Sequence, residues 1–496
     1  MHQGKTCVVI GGGMAGLAVA AQLAKAGYSV TLLEKNKTLG GRARVFQSHG
    51  FTFDMGPSWY MMPEVIESFF TSLGKQSKDY YTLKELQTKY RVFSDSHPPL
   101  DIVSDLEKNY DLFDKLSPGS AKHLQHIVSI TSKAYTLSVL LLAKQFSNVF
   151  SLLSVATMFK GLQLLALFNP FQSYERFIAK RISHPLLQKI LQFHTVFLGG
   201  SPKNTPALYS ILIASDFKGK IWYPMGGIGK LVSALESLCR EFGVDIQTNA
   251  EVCSVEIAAD SPRIAAVVNK NKRYTPDFVV NTADYAYFDT QLLPKEYAEY
   301  SHNYWQTRDY AISSVLVYLG LSKKIPELQH HNFYFQEDWN EHFTTIQESN
   351  EFPKNPCYYI SVPSVTDSSV APKHQENLFI LVPVSVRTTQ DGVAEYVTTV
   401  LDHIEKTTGA AIQDSIVYKK IYSQKDFATD YNAYKGNALG ISHALHQSVF
   451  LRPRMKAKHL DNLYFCGQFT QPGIGVPMVL LSAQYALAEI QATIKP

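Results

Sequence analysis

The sequence predicts an α/β fold, α+β overall, with one domain of alternating strands and helices and a second built on an antiparallel sheet. Three observations predict it. The chain begins with a short β-branched strand, a glycine turn, an Ala/Leu-rich helix and a second strand. Between about residues 290 and 425, several strand candidates follow a helical region, among them Ser313 to Leu321. Near the C-terminus, a further strand ends in glycine and leads into a loop and a helix.

The first strand, turn and helix form a dinucleotide-binding motif of the Rossmann type. In such a unit Gly11 permits the tight turn, Gly13 lets the backbone approach a pyrophosphate, and Gly16 allows close helix–strand packing. The amino terminus of the helix offers free N–H groups and a positive dipole end to the phosphates. The residues at that terminus are Met14 and Ala15.

Glu34 ends the second strand, about 20 residues further along, where a carboxylate accepts hydrogen bonds from a ribose 2′-hydroxyl. The alternative interpretation is a glycine-rich turn in an ordinary α/β protein. The strand, glycines, helix, second strand and acid all fall in register, and this agreement favours dinucleotide binding.

The residues that follow this acid indicate a flavin rather than a nicotinamide. Lys35 comes next and is assigned to the same site. In the Gly-Gly-Arg run, Gly41 brings backbone amides near a phosphate and Arg42 adds a delocalised cation that suits it. A solvated surface arginine is the alternative. An alternating strand then ends in a second glycine loop, formed by Met55, Gly56 and Pro57.

Composition and charge exclude several classes of function. The net charge of +4 is small for 496 residues and no basic run is present, so we expect no nucleic-acid partner. The five cysteines are scattered and lack Cys-x-x-Cys spacing, which indicates reduced thiols rather than a zinc site or disulfides. The start leaves no room for a signal peptide, and no run of about 18 apolar residues predicts a spanning helix. We expect a cytoplasmic protein without a metal.

Residues 136–168 are strongly apolar and helical in pattern, interrupted by Lys144 and Lys160. Two interpretations stay open. The segment forms buried helices of the substrate domain, or it forms a cap whose apolar face enters the lipid headgroup region while the lysines meet anionic lipid. A lipid-soluble substrate favours the second interpretation, and with it a peripheral association with the membrane.

The elements divide the chain into two domains. We expect the nucleotide domain to consist of residues 1–90, 210–290 and 430–496. The substrate domain then consists of residues 91–209 and 291–429 and carries the apolar cap. The sequence defines no oligomeric state.

Two later helices are predicted in the nucleotide domain. One follows a Pro/Gly loop and runs from Leu231 to Phe242. The other runs from Met478 to Ile490 after the C-terminal strand and loop. Its amino terminus is placed to aim its dipole at a flavin ring that gains negative charge on reduction.

These motifs resemble the amine-oxidase-like flavoprotein superfamily and, within it, the bacterial phytoene desaturase family of carotenoid desaturases. The resemblance runs nearly end to end and includes the Thr-Asp-Ser-Ser stretch that begins at Thr366. It implies FAD as the cofactor and a long polyene as the substrate. It also implies an adenine contact for Val252, and it extends the flavin site to Gly467, Gly475, Val476 and Pro477. Relatives usually carry histidine where this chain has Gln471, so that position supplies no imidazole here.

The resemblance leaves the identity of the polyene open. Family members desaturate phytoene, its shorter-chain analogue, or hydroxylated carotenoids near the chain end, as 1-hydroxycarotenoid 3,4-desaturases do. The string from Phe53 to Tyr60 resembles phytoene desaturases, so we expect a phytoene-type substrate, with the 3,4-desaturase as the alternative. A flavin amine oxidase is a more distant alternative. The implied chemistry is hydride transfer to flavin N5 from a polyene threaded through an apolar tunnel.

Few side chains are candidates for proton transfer, and no catalytic residue is assigned. His330 and His331 are interpreted as loop residues rather than iron ligands, and His194 as a core histidine rather than a substrate-side group. Asp54 and Asp367 lie beside turn formers, and we interpret both as braces that hold loops through Asx-type hydrogen bonds. The expected tasks of the protein are binding, orientation and exclusion of water.

Overall fold

A computed structural model describes residues 4–142, 161, 163–164, 167–169, 172–448 and 451–494. The strands, in chain order, are β1 (Thr6–Ile10), β2 (Ser29–Leu33), β3 (Val45–Ser48), β4 (Phe51–Asp54), β5 (Leu83–Glu85), β6 (Thr88–Phe93), β7 (Leu100–Val103), β8 (Trp222–Pro224), β9 (Asp245–Gln247), β10 (Val252–Ile257), β11 (Ile264–Asn269), β12 (Arg273–Tyr274), β13 (Phe278–Asn281), β14 (Ser313–Leu321), β15 (His331–Tyr334), β16 (Tyr358–Ser361), β17 (Glu376–Val384), β18 (Ile416–Tyr422) and β19 (Leu463–Phe465).

The helices, in chain order, are α1 (Met14–Lys25), α2 (Pro63–Ser72), α3 (Leu106–Leu116), α4 (Ser120–Leu142), α5 (Tyr174–Ala179), α6 (Pro185–Gln192), α7 (Ile211–Ile213), α8 (Gly229–Glu241), α9 (Tyr285–Tyr287), α10 (His302–Thr307), α11 (Trp339–Glu348), α12 (Val393–Thr408), α13 (Gln424–Tyr431) and α14 (Val476–Thr493).

The two ends of the chain meet in a five-stranded parallel sheet with the strand order β19-β13-β1-β2-β9. Its strands come from three separated parts of the chain, which confirms the Rossmann-type assembly that the sequence predicts. On one face, α1 packs against α8 and α14 over an aliphatic core. On the other face, the antiparallel strands β10, β11 and β12 contribute to a second core. Burial on both faces explains why the central strands are almost wholly apolar.

A seven-stranded sheet forms the centre of the second part of the fold, in the order β18-β14-β17-β16-β15-β6-β7. All its pairings are antiparallel except that of β15 with β6. The predicted strand Ser313 to Leu321 is β14, and it pairs along its whole length with β17. One face of the sheet lies on α12. The other face joins the large core formed with α3 to α6. The predicted antiparallel sheet is confirmed.

The apolar segment predicted at residues 136–168 lies mostly outside the described residues. Its described start, residues 136–142, forms the last two turns of α4, and the side chain of Leu140 is 46% exposed there. In the part of the chain that the structure describes, no helix has both the length and the apolar character needed to cross a membrane.

Two helices begin two residues earlier than the sequence predicts. The helix expected from Leu231 begins at Gly229, because the carboxylate of Asp54 accepts hydrogen bonds from the N–H groups of Ile228 and Gly229. The helix expected from Met478 begins at Val476, with Pro477 in its first turn, where the missing N–H of proline costs nothing.

Candidate cofactor site

The glycine turn between β1 and α1 has the geometry that the motif predicts. Gly11 has φ +101° and donates its N–H to Leu33 O at 2.8 Å. A Cβ on Gly16 would lie 1.9 Å from Gly11 O, so only glycine permits this helix–strand contact. A Cβ on Gly13 would meet only Gly41 Cα, at 3.9 Å. The backbone is therefore packed against protein atoms at Gly16, whereas it has free space beside it at Gly13. The N-cap residue, Gly13, provides no side-chain cap for α1, which begins at Met14.

The carboxylate of Glu34 lies against this turn. Its Oε2 accepts a hydrogen bond from Gly12 N at 2.7 Å, and its Oε1 accepts one from Asn36 N at 2.8 Å. A carboxylate has about four lone-pair positions, so it retains acceptor capacity for a hydroxyl donor. Nearby, Ala250 N donates to Glu34 O at 2.8 Å, which brings the buried side chain of Val252 to the same end of the sheet.

Lys35 points away from the turn towards the segment after α13. Its Nζ donates to Asn432 Oδ1 at 2.6 Å and to Thr429 O at 2.8 Å, and it lies 3.4 Å from Glu251 Oε1. The cation therefore ties the end of β2 to the last part of the chain. Its contact with a cofactor remains a prediction.

The Gly-Gly-Arg loop packs directly on the first turn. Gly40 N donates to Gly12 O at 2.8 Å, and a Cβ on Gly41 would lie 3.1 Å from Gly13 Cα. Arg42 lies 4.0 Å from the buried carboxylate of Asp284 and donates to a single backbone carbonyl at 3.3 Å. Its Nε–H is buried without a hydrogen-bond partner in the part of the chain that the structure describes, and burial lowers the pKa of the guanidinium. A buried arginine N–H without an acceptor suits a phosphate oxygen.

The loop formed by Met55, Gly56 and Pro57 stacks on the backbone of Arg42. A Cβ on Gly56 would lie 2.5 Å from Arg42 O, so this contact requires glycine. The carbonyl of Met55 accepts a hydrogen bond from the hydroxyl of Tyr318, on β14, at 2.9 Å. The loop thereby connects the Gly-Gly-Arg loop with β14 of the seven-stranded sheet.

The C-terminal residues of the predicted site meet the N-terminal ones. Gly467 has φ +117°, and a Cβ on it would lie 3.3 Å from the Cβ of Ala15. Gly475 has φ +123° and immediately precedes α14, which starts with Val476 and Pro477. A Cβ on Gly475 would meet only Met478 Cγ, at 3.6 Å. As at α1, the N-cap glycine provides no side-chain cap for the helix.

Sequence reasoning missed two buried side chains behind this loop. His443 accepts a hydrogen bond through Nε2 from Ile474 N at 3.3 Å, and its Nδ1 lies 3.1 Å from the hydroxyl of Tyr209. Burial holds the pKa of His443 well below its ordinary value. The imidazole absent at Gln471 is thus supplied to the same loop by another segment.

The other missed residue is Arg452, which is 4% exposed and bonds only to backbone carbonyls among the described residues. Its guanidinium donates to Gln468 O at 2.6 Å and Thr470 O at 3.1 Å on one side. On the other side it donates to Ile441 O at 3.3 Å and Ser442 O at 3.4 Å. Burial lowers its pKa to about 10. No local motif marks such a residue, because its partners are carbonyls rather than side chains.

Both aspartates act as braces, but the predicted Asx-type bonding within the residue's own loop is confirmed for Asp367 and wrong for Asp54. Asp367 accepts hydrogen bonds from Ser369 N at 2.9 Å and from Gly226 N at 2.6 Å, so it holds its own turn and a second loop. Asp54 holds the start of α8 rather than its own loop.

The burial of Asp54 gives a testable pH dependence. Burial raises its pKa from 3.8 to about 6, so the folded protein favours the protonated acid. The stability that Asp54 contributes is therefore greatest below about pH 4 and falls, by about 3 kcal/mol, as the pH rises through 6. As the pH rises from about 4 to above 6, we expect the free energy of unfolding of Asp54→Asn to increase by that amount relative to the native protein. Thermal unfolding of both proteins across this pH range measures the difference. Parallel stability curves for the two proteins would contradict this.

One of the three interpreted histidines differs from its predicted setting. His331 lies in β15 and not in a loop, so that interpretation is wrong for it. His194 is fully buried, as interpreted, and its Nε2 lies 3.1 Å from the carboxylate of Asp216. Four of the five cysteines are buried and all five are free, as expected.

The assembled residues fit a flavin dinucleotide. Two uncapped helix amino termini and the unpartnered Nε–H of Arg42 offer donors to a pyrophosphate. Gly13 and Gly475 leave backbone surface open to a ligand. Glu34 lies at the end of β2, where a ribose hydroxyl is expected.

Comparisons with known proteins agree with a flavin cofactor. Residues 14–490 match the family model described as flavin containing amine oxidoreductase. A carotenoid 3,4-desaturase from Haloarcula japonica is 39% identical over 485 residues, covering 97% of each chain. A 4,4'-diapophytoene desaturase from Staphylococcus haemolyticus is 31% identical over 489 residues, covering 96% of each chain. A solved structure titled a putative protoporphyrinogen oxidase, from Exiguobacterium, shares the fold with a TM-score of 0.64 at 15% identity, covering 99% of each chain.

Fold and site together define an FAD-dependent oxidoreductase. The chain belongs to the flavin containing amine oxidoreductase family and, within it, to the carotenoid desaturases, as the sequence motifs predict.

Proposed function

We propose that the protein is an FAD-dependent carotenoid desaturase that introduces the 3,4 double bond near the end of a hydroxylated polyene. The 39% identity with a carotenoid 3,4-desaturase, across 97% of both chains, carries this proposal. A phytoene-type substrate is the second candidate. It is favoured by the Phe53 to Tyr60 string and by the 31% identity with a diapophytoene desaturase.

An aromatic wall beside the predicted flavin loop supports a hydrocarbon substrate. Trp59, two residues after Pro57, has ring centroids 5.7 to 6.1 Å from four neighbouring rings. We call this set the aromatic wall: Trp59, Tyr90, Phe193, Phe197 and Phe333. Tyr90, Phe193 and Phe333 are buried in the large core, so the apolar and π-bearing surface open to a conjugated chain is that of Trp59 and Phe197, which are only partly buried.

The bound FAD would supply the chemistry by accepting a hydride from an allylic carbon. The residues of the chain bind and orient both molecules and keep water away. The carboxylates of Asp54 and Asp367 accept hydrogen bonds from backbone N–H groups, so both have a structural role. The main tasks of the protein are therefore binding and orientation.

The proposed division of the chain assigns residues 1–90, 210–290 and 430–496 to the FAD domain and the rest to the substrate domain. The strands of the parallel sheet, which lie in all three FAD segments, support it. The proposed boundary at residue 90 falls within β6, whose pairing partners β7 and β15 belong to the second sheet.

The experiment that tests the proposal uses the purified, FAD-loaded protein and liposomes that carry either phytoene or a 1-hydroxylated acyclic carotenoid. We expect the absorption bands of the hydroxylated substrate to move to longer wavelength as one double bond is added. Desaturation of phytoene alone would favour the second candidate. No change in either polyene, with no anaerobic bleaching of the flavin, would refute carotenoid desaturation.

We also propose a cytoplasmic protein that associates peripherally with the membrane through the region at the end of α4. Leu140, 46% exposed there, leads into the apolar segment. We expect Leu140→Asp to lower co-sedimentation with anionic liposomes at least about twofold, because it puts a charge on the apolar face. Val417→Asp is the matched control, since Val417 is 49% exposed on the edge strand β18. Equal co-sedimentation of Leu140→Asp and the native protein would contradict this.

A further inference from the structure

The end of the aromatic wall nearest the predicted flavin loop is polar. Ser58 Oγ and Trp59 Nε1 lie 2.8 and 3.2 Å from the hydroxyl oxygen of Tyr359, which lies 2.6 Å from His331 Nδ1. We call these four residues the Tyr359 cluster. Ser58 and Trp59 directly follow Pro57, so the cluster adjoins the predicted flavin loop.

The second ring nitrogen of His331, Nε2, is buried and has no hydrogen-bond partner among the described residues. Buried polar atoms are rarely left in this state, because their lost hydration is not compensated. The ring stacks on the indole of Trp59 with centroids 4.8 Å apart. The open nitrogen therefore lies beside the apolar surface proposed for the polyene.

The hydrogen bonds of the cluster define which ligand group suits this nitrogen. The indole N–H of Trp59 only donates, so Tyr359 accepts from it and has one hydrogen to donate, to His331 or to Ser58. In the first case Nε2 of His331 carries a hydrogen and needs an acceptor. In the second case it carries a lone pair and needs a donor. A hydroxyl group satisfies both, since it donates and accepts.

A small cavity adjoins the cluster at Ser58. It is lined also by Tyr223 and His330, whose Nε2 is likewise buried without a partner. The cavity volume is about 10 Å³, which is enough for one water molecule or one hydroxyl group. Of the Tyr359 cluster only Ser58 lines this cavity, so the room for a small oxygen substituent lies on the Ser58 side of the cluster.

We propose that His331 is a specificity-determining residue that hydrogen-bonds the hydroxyl group of an oxygenated carotenoid. This inference rests on the proposed function. In a 1-hydroxylated carotenoid, three covalent bonds separate the oxygen from C3, so a hydroxyl on His331 holds the 3,4 bond close to the predicted flavin loop. A polyene without the hydroxyl leaves Nε2 buried and unsatisfied, and the site discriminates against it.

The test compares two substrates in liposomes, a 1-hydroxylated acyclic carotenoid and the same polyene without the hydroxyl. We expect His331→Phe to lower kcat/KM for the hydroxylated substrate at least about tenfold, and to change kcat/KM for the other substrate by less than about threefold. His331→Gln keeps a polar group at the position of Nε2 and should restore part of the preference. Flavin content, read from the absorption spectrum, shows that each variant is folded and loaded.

His342→Phe is the matched control, because His342 is also buried with an unpartnered ring nitrogen but packs on α11 against Trp339 and Phe343. It should leave the substrate preference unchanged. A native protein that desaturates neither polyene would refute the proposed function itself. A native protein that prefers the hydroxylated substrate, together with a His331→Phe variant that keeps this preference, would overturn the role of His331 alone.

Discussion

Gly13→Ala is expected to yield a folded protein that has lost its flavin. Gly13 has φ −72°, which alanine adopts freely, and a Cβ there would meet no protein atom closer than 3.9 Å. The added methyl group therefore disturbs the cofactor and not the protein, because Gly13 is where the backbone is expected to approach the pyrophosphate. We expect at least about a tenfold loss of FAD affinity, measured by titration of the apoprotein.

Gly16→Ala provides the contrast that makes this result interpretable. A Cβ on Gly16 would lie 1.9 Å from Gly11 O, so this variant should lower the thermal unfolding midpoint as well as flavin content. If Gly13→Ala retained native FAD affinity with an unchanged circular dichroism spectrum, the assignment of the pyrophosphate to this turn would be wrong.

Arg452→Leu is expected to have the largest effect on stability. The guanidinium satisfies four backbone carbonyls in two segments, and the leucine leaves all four without this donor. Each unsatisfied buried polar group costs about 1–3 kcal/mol, so we expect a loss of at least about 3 kcal/mol and a lower midpoint of thermal unfolding. The loop before α14 should loosen, and flavin should dissociate more readily.

Arg454→Leu is the matched control for this variant. Arg454 is two residues away and exposed, so its replacement should change the unfolding midpoint by less than the equivalent of about 0.5 kcal/mol. Equal stability of the two variants would show that the buried carbonyl contacts of Arg452 contribute nothing.

The sequence is informative where function depends on local spacing. The residues around Gly11, Gly16 and Gly41 sit in turns whose positive φ or close contacts demand glycine, and such demands are visible within a few residues. The strand Ser313 to Leu321 is likewise predictable from its own residues, because they are largely apolar. All nine are buried in the structure.

The sequence is uninformative where a side chain meets a distant segment. The start of α8 is fixed by Asp54, which is 174 residues earlier in the chain than Ile228. The side chains of His443, Arg452 and the Tyr359 cluster also contact residues that are distant in the sequence. No periodicity or motif predicts such contacts. The inclusion of His331 as the first residue of β15 is likewise set by pairing with distant strands, since His331 pairs with Ser361 of β16.

The meeting of β1, β13 and β19 in one sheet has a consequence for biogenesis. The strand at the edge, Leu463–Phe465, is synthesised more than 450 residues after β1, and the loop before α14 follows it. Contacts between such remote segments form slowly. Cofactor capture must therefore wait until β19 and this loop have been synthesised, and nascent or prematurely terminated chains would expose an unfinished sheet edge to chaperones and proteases.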